Sequence, residues 1–255
     1  MSQTLSPELL SAPLVLEGRI MPASNATFLA TAGDIQVVYK PVAGEKPLWD
    51  FPHGTLANRE IASYAVSEAL GWNVVPLTFL REGPHGPGMV QVWQEPDPDQ
   101  YPVDLVAPHE VPDGWRHVLD ASDARGEPVS LIHENSEPLR RMALFDVIVN
   151  NADRKGGHVL AMADGHRFGV DHGVSFNVDD KLRTVLWGWA GEELDEFERD
   201  ALTRLLGDDA LSATLSELVT RNEVRSFHRR CELLLARGRY PQASSQWPAI
   251  PWPAF

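Results

Sequence analysis

Asn150-Asn151-Ala152-Asp153-Arg154-Lys155-Gly156-Gly157-His158, followed by Gly169-Val170-Asp171-His172-Gly173, is the stretch on which the fold turns. Upstream, Met142-Ala143-Leu144-Phe145-Asp146-Val147-Ile148-Val149 carries an apolar helical pattern that runs into this polar, glycine-bearing loop. The short apolar run Val159-Leu160-Ala161-Met162 leaves the loop, Asp164-Gly165 signals a two-residue hairpin turn, and Arg167-Phe168-Gly169-Val170 returns. The spacing therefore predicts two carboxylates, Asp153 and Asp171, at the open ends of one hairpin. His158 stands five positions after Asp153.

A chain of 255 residues can bury a substantial core, as one large domain or two lobes. With 43% hydrophobic and 23% charged residues, the composition is that of a soluble globular protein. No apolar run is long enough to span a membrane, and the N-terminus lacks the charged and apolar segments of a signal peptide. One cysteine, Cys231, cannot form an internal disulfide, and the expected compartment is the cytoplasm. The formal net charge of -14 counts against nucleic acid as a partner and against an anionic bilayer. It leaves room for ATP, which a few local cations, a metal and backbone donors can hold.

Ahead of the central stretch, strands are expected at Leu14–Ile20, Ala26–Thr31 and Ile35–Pro41. Lys40 alternates with Val38 and should share its face. A loop over 42–56, rich in Gly and Pro, precedes a helix that Thr55 could cap and Gly71 would stop, with Glu60 in its first turns. Strands at Val74–Leu80 and Gly88–Gln94, joined by Gly83-Pro84-His85-Gly86-Pro87, complete a five-stranded antiparallel sheet. Residues 96–135 hold six prolines and read as loop or short-helix material without a clean element. Helices are expected from Ser136 to about Asn150, and over about 193–206, 209–219 and 222–237. Between the first two of these, Trp187-Gly188-Trp189 should anchor its segment in the core. The tail Trp247-Pro248-Ala249-Ile250-Pro251-Trp252-Pro253-Ala254-Phe255 cannot be helical and is expected to fold on this chain or on a second copy, as a homodimer.

Taken together, Val38-Tyr39-Lys40-Pro41, Arg59-Glu60, Asn151-Ala152-Asp153-Arg154-Lys155 and Val170-Asp171-His172-Gly173-Val174-Ser175-Phe176 resemble the atypical kinases of the phosphatidylinositol 3/4-kinase-like superfamily, in its bacterial branch with the HipA-like kinases. The resemblance covers roughly residues 15–235. It implies an α+β, two-lobed protein-kinase-like fold: an N-lobe over residues 1–95, with an antiparallel sheet and one helix, and a mainly helical C-lobe over 96–255. It also implies transfer of the γ-phosphate of ATP, with Mg²⁺ or Mn²⁺, to a hydroxyl of a protein or soluble small molecule. On that reading Asp153 is the catalytic carboxylate, with Arg154 beside it in the superfamily's Asp-Arg order, and Lys40 meets the phosphates, oriented by Glu60. Ser24 and Asn25, in a loop without G-x-G-x-x-G, would contact the nucleotide, as would the hinge at Trp93-Gln94. Asp171 would hold the metal. His158 stands where the family usually has Asn, and an imidazole there favours softer ions than Mg²⁺.

Three other readings fit parts of the pattern. A nucleotide-binding pseudokinase would explain His158. Nucleotidyl transfer would use the same pocket. A metal-dependent hydrolase built on His158, His166, Asp171 and His172 lacks the tight ligand spacing such sites show.

Overall fold

The computed structural model describes residues 5–21, 23, 25–46, 48–51, 56–123, 125–245 and 247–255. Thr55 and Ser24, expected as helix cap and nucleotide contact, lie outside the described residues. After a short helix α1 (Pro7–Ser11), strands β1 (Leu14–Arg19), β2 (Phe28–Ala32) and β3 (Ile35–Pro41) run consecutively. Helix α2 (Leu56–Leu70) precedes β4 (Thr78–Gly83) and β5 (Gly86–Val92). The five strands form one antiparallel sheet in the order β1-β2-β3-β5-β4. Alternation sets its faces: Val37 and Tyr39 are buried against Leu14, Ala30, Phe79 and Val90, while Val38 and Lys40 turn to the opposite side. The fourth strand starts later than its apolar residues indicate. Val74 and Val75 are fully buried before it, in the core shared by the helices, so burial without ladder pairing explains that run.

Residues 96–135 correct the sequence-based expectation of irregular chain. They contain β6 (Val103–Val106), β7 (Arg116–Ser122) and β8 (Pro128–His133), an antiparallel sheet in the order β6-β8-β7. The prolines lie in the connections, apart from Pro128 at the first position of β8, where a missing N–H is tolerated. This sheet docks through its central strand. The buried ring of His133 lies on Trp189, with centroids 4.4 Å apart, and its Nε2 accepts a hydrogen bond from the Gly188 N–H at 3.1 Å. Gly188 is obligatory there, since a Cβ would stand 2.4 Å from that nitrogen. With Nε2 accepting and Nδ1 2.8 Å from the Glu134 carbonyl, the neutral ring is satisfied on both sides and a second proton has no place. Burial pushes its pKa down to about 4. The unfolded chain therefore takes up the proton first as pH falls. Stability is expected to drop between pH 6.5 and 4, by on the order of 3 kcal/mol if this group acts alone. Urea unfolding at pH 6.5, 5.5 and 4.5 checks this; the same slope in His133→Gln would refute the assignment.

Helix α3 (Glu137–Val149) starts at the Ser136 cap and ends at Asn150, whose left-handed backbone (φ 55°) turns the chain into the loop. Leu139, Met142, Phe145, Ile148 and Val149 are buried in the main core, each worth about 1.5–3 kcal/mol relative to exposure. Strands β9 (Val159–Ala161) and β10 (Arg167–Gly169) form the hairpin. Its turn is longer than two residues. Gly165 N–H reaches the Met162 carbonyl at 2.9 Å with φ 88°, a turn closed by a left-handed glycine. Helices α4 (Glu196–Leu206), α5 (Asp209–Leu218) and α6 (Arg221–Arg237) finish the fold, α4 and α6 opened by capping boxes at Asp195/Glu198 and Thr220/Glu223. Glu223 does double duty, since its Oε1 also takes Arg59 Nη2 at 2.6 Å. Arg59 in turn gives Nη1 to the Ser175 carbonyl at 2.7 Å, so α2 is tied to the helical half. Cys231 is buried among α6 contacts. The described tail lies on its own chain. Thr184 N–H and the Trp187 indole both donate to the Ala249 carbonyl, at 3.0 and 2.9 Å. Gly156 N–H donates to the Ala254 carbonyl at 2.8 Å. The architecture is thus α+β and two-lobed. Among the described residues no helix is long and apolar enough to cross a membrane.

Candidate active site

Lys40, on the open face of β3, joins the two halves. Its Nζ is 2.7 Å from Glu60 Oε1 on α2 and 2.9 Å from Asp171 Oδ1 after β10. The second Glu60 oxygen accepts the His172 N–H at 2.8 Å, which fixes that carboxylate from behind. Burial would lower the Lys40 pKa, but the Asp171 and Glu60 carboxylates outweigh it and hold the ammonium above its usual range. The Lys40 charge draws the Asp171 carboxyl well below the usual carboxylate range against its desolvation, with help from His158. For Glu60, burial raises the carboxyl and Lys40 pulls against it. Asp171 itself has φ 62°, a left-handed conformation that Asp tolerates and larger side chains rarely adopt.

Asp153 and His158 come from the loop after α3. The Asp153 N–H is received by Asn151 Oδ1 at 3.0 Å, and Lys155 Nζ is 3.5 Å from its Oδ2. Burial pushes the Asp153 carboxyl upward, opposed by Lys155 and His158. His158 Nδ1 lies 2.9 Å from the Asp153 carbonyl, so it donates there and leaves the Nε2 lone pair toward Asp171 Oδ2, 3.5 Å away. Burial lowers the His158 pKa, which keeps the ring neutral near pH 7.

Arg154, expected beside the chemistry, lies beneath it. Its side chain and that of Asp146 on α3 are both 0% exposed. Nε meets Asp146 Oδ2 at 3.0 Å and Nη2 meets Oδ1 at 2.8 Å, a two-pronged pair. Nη1 reaches the carbonyls of His158 and Val170 at 3.2 and 3.0 Å, and Nη2 lies 2.6 Å from His172 Nε2. The guanidinium therefore sews the Asp153 loop to the Asp171 loop from below. It positions both carboxylates and is turned away from the cleft. Gly169 makes room, since a Cβ there would come within 2.8 Å of Nη2. Asp146 was not singled out from sequence; the available signal was a lone carboxylate in an apolar helix.

Above these groups is a cavity of about 450 Å³ between the halves. Lys40, Asp153, His158 and Asp171 sit at its polar end; Ile20, Val38, Val92, Leu160 and Val170 give it apolar walls from both sides. Asn25, Trp93 and Gln94 also line it, so every candidate site residue that the structure describes borders this space except Arg154, beneath the loop, and Glu60, which orients Lys40 from the adjoining recess. Asn25 Oδ1 is held by the Lys46 N–H at 2.9 Å. The Trp93 N–H is spent on the Gln36 carbonyl at 3.0 Å, in the sheet, and its indole on Glu95. The apolar walls carry no local pattern, because three of their residues come from separate strands and two, Ile20 and Val170, from the chain just past a strand end. His166 stands apart from the cluster, with Nε2 2.8 Å from the Asn73 carbonyl. His172 is buried on the Phe145 ring. The four groups of the hydrolase reading therefore do not converge, and among the described residues no three His, Cys, Asp or Glu side chains could hold an ion together.

No protein-family model matches the chain. Protein Rv2133c of Mycobacterium tuberculosis is 49% identical over 259 residues, which span 95% of this chain and 92% of that one. Among solved structures, the Golgi casein kinase superposes with a TM-score of 0.52 at 14% identity, over 90% of this chain and 72% of that one. The Helicobacter pylori proinflammatory kinase CtkA does so with a TM-score of 0.51 at 11% identity, over 90% and 96%. At those identities the likeness is one of fold, and the fold is kinase-like.

Proposed function

We propose, for a chain that belongs to the same family as Protein Rv2133c and has a kinase-like fold, that it is an ATP-dependent phosphotransferase of the atypical, phosphatidylinositol 3/4-kinase-like type. Residues 1–95 and 96–255 act as its two lobes. One observation carries the reading: Lys40 bridges Glu60 and Asp171 across the cleft, in a cavity that Asp153 also borders. Four groups far apart in sequence converge on the charge pattern that phosphoryl transfer needs. The apolar walls suit a base, and the polar end a triphosphate. Asp153 is placed to take the proton of an acceptor hydroxyl, and its raised pKa makes it a better base than an exposed Asp. Lys40, kept charged and fixed by Glu60, neutralises the phosphates. The Asp153-Arg154 order supports the atypical class, with Arg154 as a loop-positioning residue.

Mg²⁺ or Mn²⁺ fits the donors present. The His158 tautomer leaves Nε2 free 3.5 Å from Asp171 Oδ2, close to the roughly 3 Å between neighbouring ligands on an octahedral cation. Two protein donors leave most of the shell to phosphates and water, the usual arrangement for Mg²⁺ with nucleotides. When bound, the ion would offset charge on the phosphates.

Calorimetry with ATP and each metal, paired with transfer of labelled γ-phosphate, tests the proposal. Asp153→Asn is expected to keep nucleotide affinity while transfer falls about 10²–10³-fold. Undiminished transfer in that variant, or no ATP binding by the unaltered chain, would remove the reading.

A further inference from the structure

A second recess, of about 320 Å³, adjoins the first and shares Asn25, Lys40, Asp153 and Asp171 with it. Leu48, Phe51, Leu56 and Trp247 form its apolar lining. Its charged residues divide sharply. Glu45 is spent on the Leu56 and Ala57 N–H groups, at 2.9 and 2.8 Å. Asp50 is paired with Lys181 at 3.0 Å, Glu60 and Asp171 with Lys40, and Asp153 with Lys155 at 3.5 Å. The cations Lys46 and Arg183 meet no carboxylate among the described residues, in a chain of net charge -14. Arg183 is held beside the catalytic carboxylate. Its N–H donates to the Asn151 carbonyl at 2.9 Å and its carbonyl accepts the Arg154 N–H at 3.0 Å, one residue either side of Ala152-Asp153. Among the described residues its guanidinium makes one hydrogen bond, Nη2 to the Ile250 carbonyl at 3.2 Å. Arg183 Nε and Trp247 Nε1 are buried donors without an acceptor among the described residues, a state that costs free energy unless a ligand supplies one.

Resting on the phosphotransferase reading, we infer that this recess takes the acceptor, and that the acceptor is a small alcohol carrying a separate anionic group, phosphate or carboxylate, seated on Arg183 and Lys46. The volume fits a small molecule, and paired carboxylates beside unpaired donors select for negative charge. In the transfer, the acceptor hydroxyl oxygen bonds to the γ-phosphorus and the bond from that phosphorus to the ADP oxygen breaks. ADP leaves with the electron pair, and the hydroxyl proton passes to Asp153.

The test uses the full chain saturated with Mg²⁺ and a non-hydrolysable ATP analogue, titrated with inorganic phosphate, glycerol 3-phosphate, glycerate and glycerol. Phosphate and the two charged alcohols are expected to bind and glycerol not to. Arg183→Met and Lys46→Met should each weaken phosphate binding at least tenfold with the analogue affinity unchanged. Arg183→Lys should retain most of it, and Arg237→Met, in a different cavity, should have no effect. Lys46 is exposed, so its variant carries no folding risk. No phosphate binding, or equal binding in the variants, overturns the inference while the phosphotransferase reading stands. Loss of analogue affinity in Arg183→Met would give that residue to the nucleotide and overturn it too. In a parallel assay with Mg²⁺ and ATP itself, transfer to an acidic serine peptide without any response to phosphate would make the acceptor a polypeptide, and so would end it. An unaltered chain that does not bind the analogue removes both readings.

Discussion

Asp171→Asn is expected to reduce metal-supported turnover of ATP about 10⁴-fold, a loss of roughly 5 kcal/mol of transition-state stabilisation. Asn tolerates the left-handed backbone at this position (φ 62°) and keeps the volume, so the loop should hold its shape. The carboxylate's charge serves Lys40 at 2.9 Å, and its second oxygen stands 3.5 Å from the free Nε2 of His158. An amide ends the ion pair with Lys40 and offers a metal a neutral oxygen in place of a charged one. Single-turnover assays with Mg²⁺ and Mn²⁺ measure the effect, with circular dichroism to show that the fold persists. Turnover within tenfold of the unaltered protein would be incompatible with the proposed role.

Arg154→Met is expected to cost about 3–5 kcal/mol of stability, the usual penalty for leaving half of a buried ion pair behind. Asp146 is 0% exposed, and its remaining donors would be Asn151 Nδ2 at 3.0 Å and Thr184 Oγ1 at 3.2 Å, both uncharged. Three further contacts go with the guanidinium, to the carbonyls of His158 and Val170 and to His172. Urea unfolding measures the loss. The double variant Asp146→Leu/Arg154→Met should be less destabilised than Arg154→Met alone, because no orphan charge remains. Additive losses would mean that the pair does not act as a unit.

Much of this arrangement was legible because each cleft residue sits on an element with a clear local signature. Lys40 lies near the end of an alternating strand, Glu60 lies one turn into a helix, Asp153 follows an apolar helix, and Asp171 follows a hairpin return. Order along the chain then stood in for position in space. The role of Arg154 was not legible. It depends on Asp146 eight positions back and on carbonyls brought together only when the hairpin folds. The small sheet over 103–133 was missed for a different reason. Its strands are short and half-exposed, without steady alternation, and prolines crowd the connections. The pairing of Arg183 with the loop, through Asn151 and Arg154, is likewise a contact across some thirty residues that no periodicity announces.

Lys40 has a consequence for the order in which ligands arrive. With its ammonium on Asp171, the chain supplies its own monovalent counterion to the carboxylate that a divalent ion would use. A free ion must compete with that tethered charge, whereas a triphosphate can draw the ammonium away as it delivers its own cation. Metal affinity measured without nucleotide should therefore be poor, and the two ligands should enter as a preformed complex.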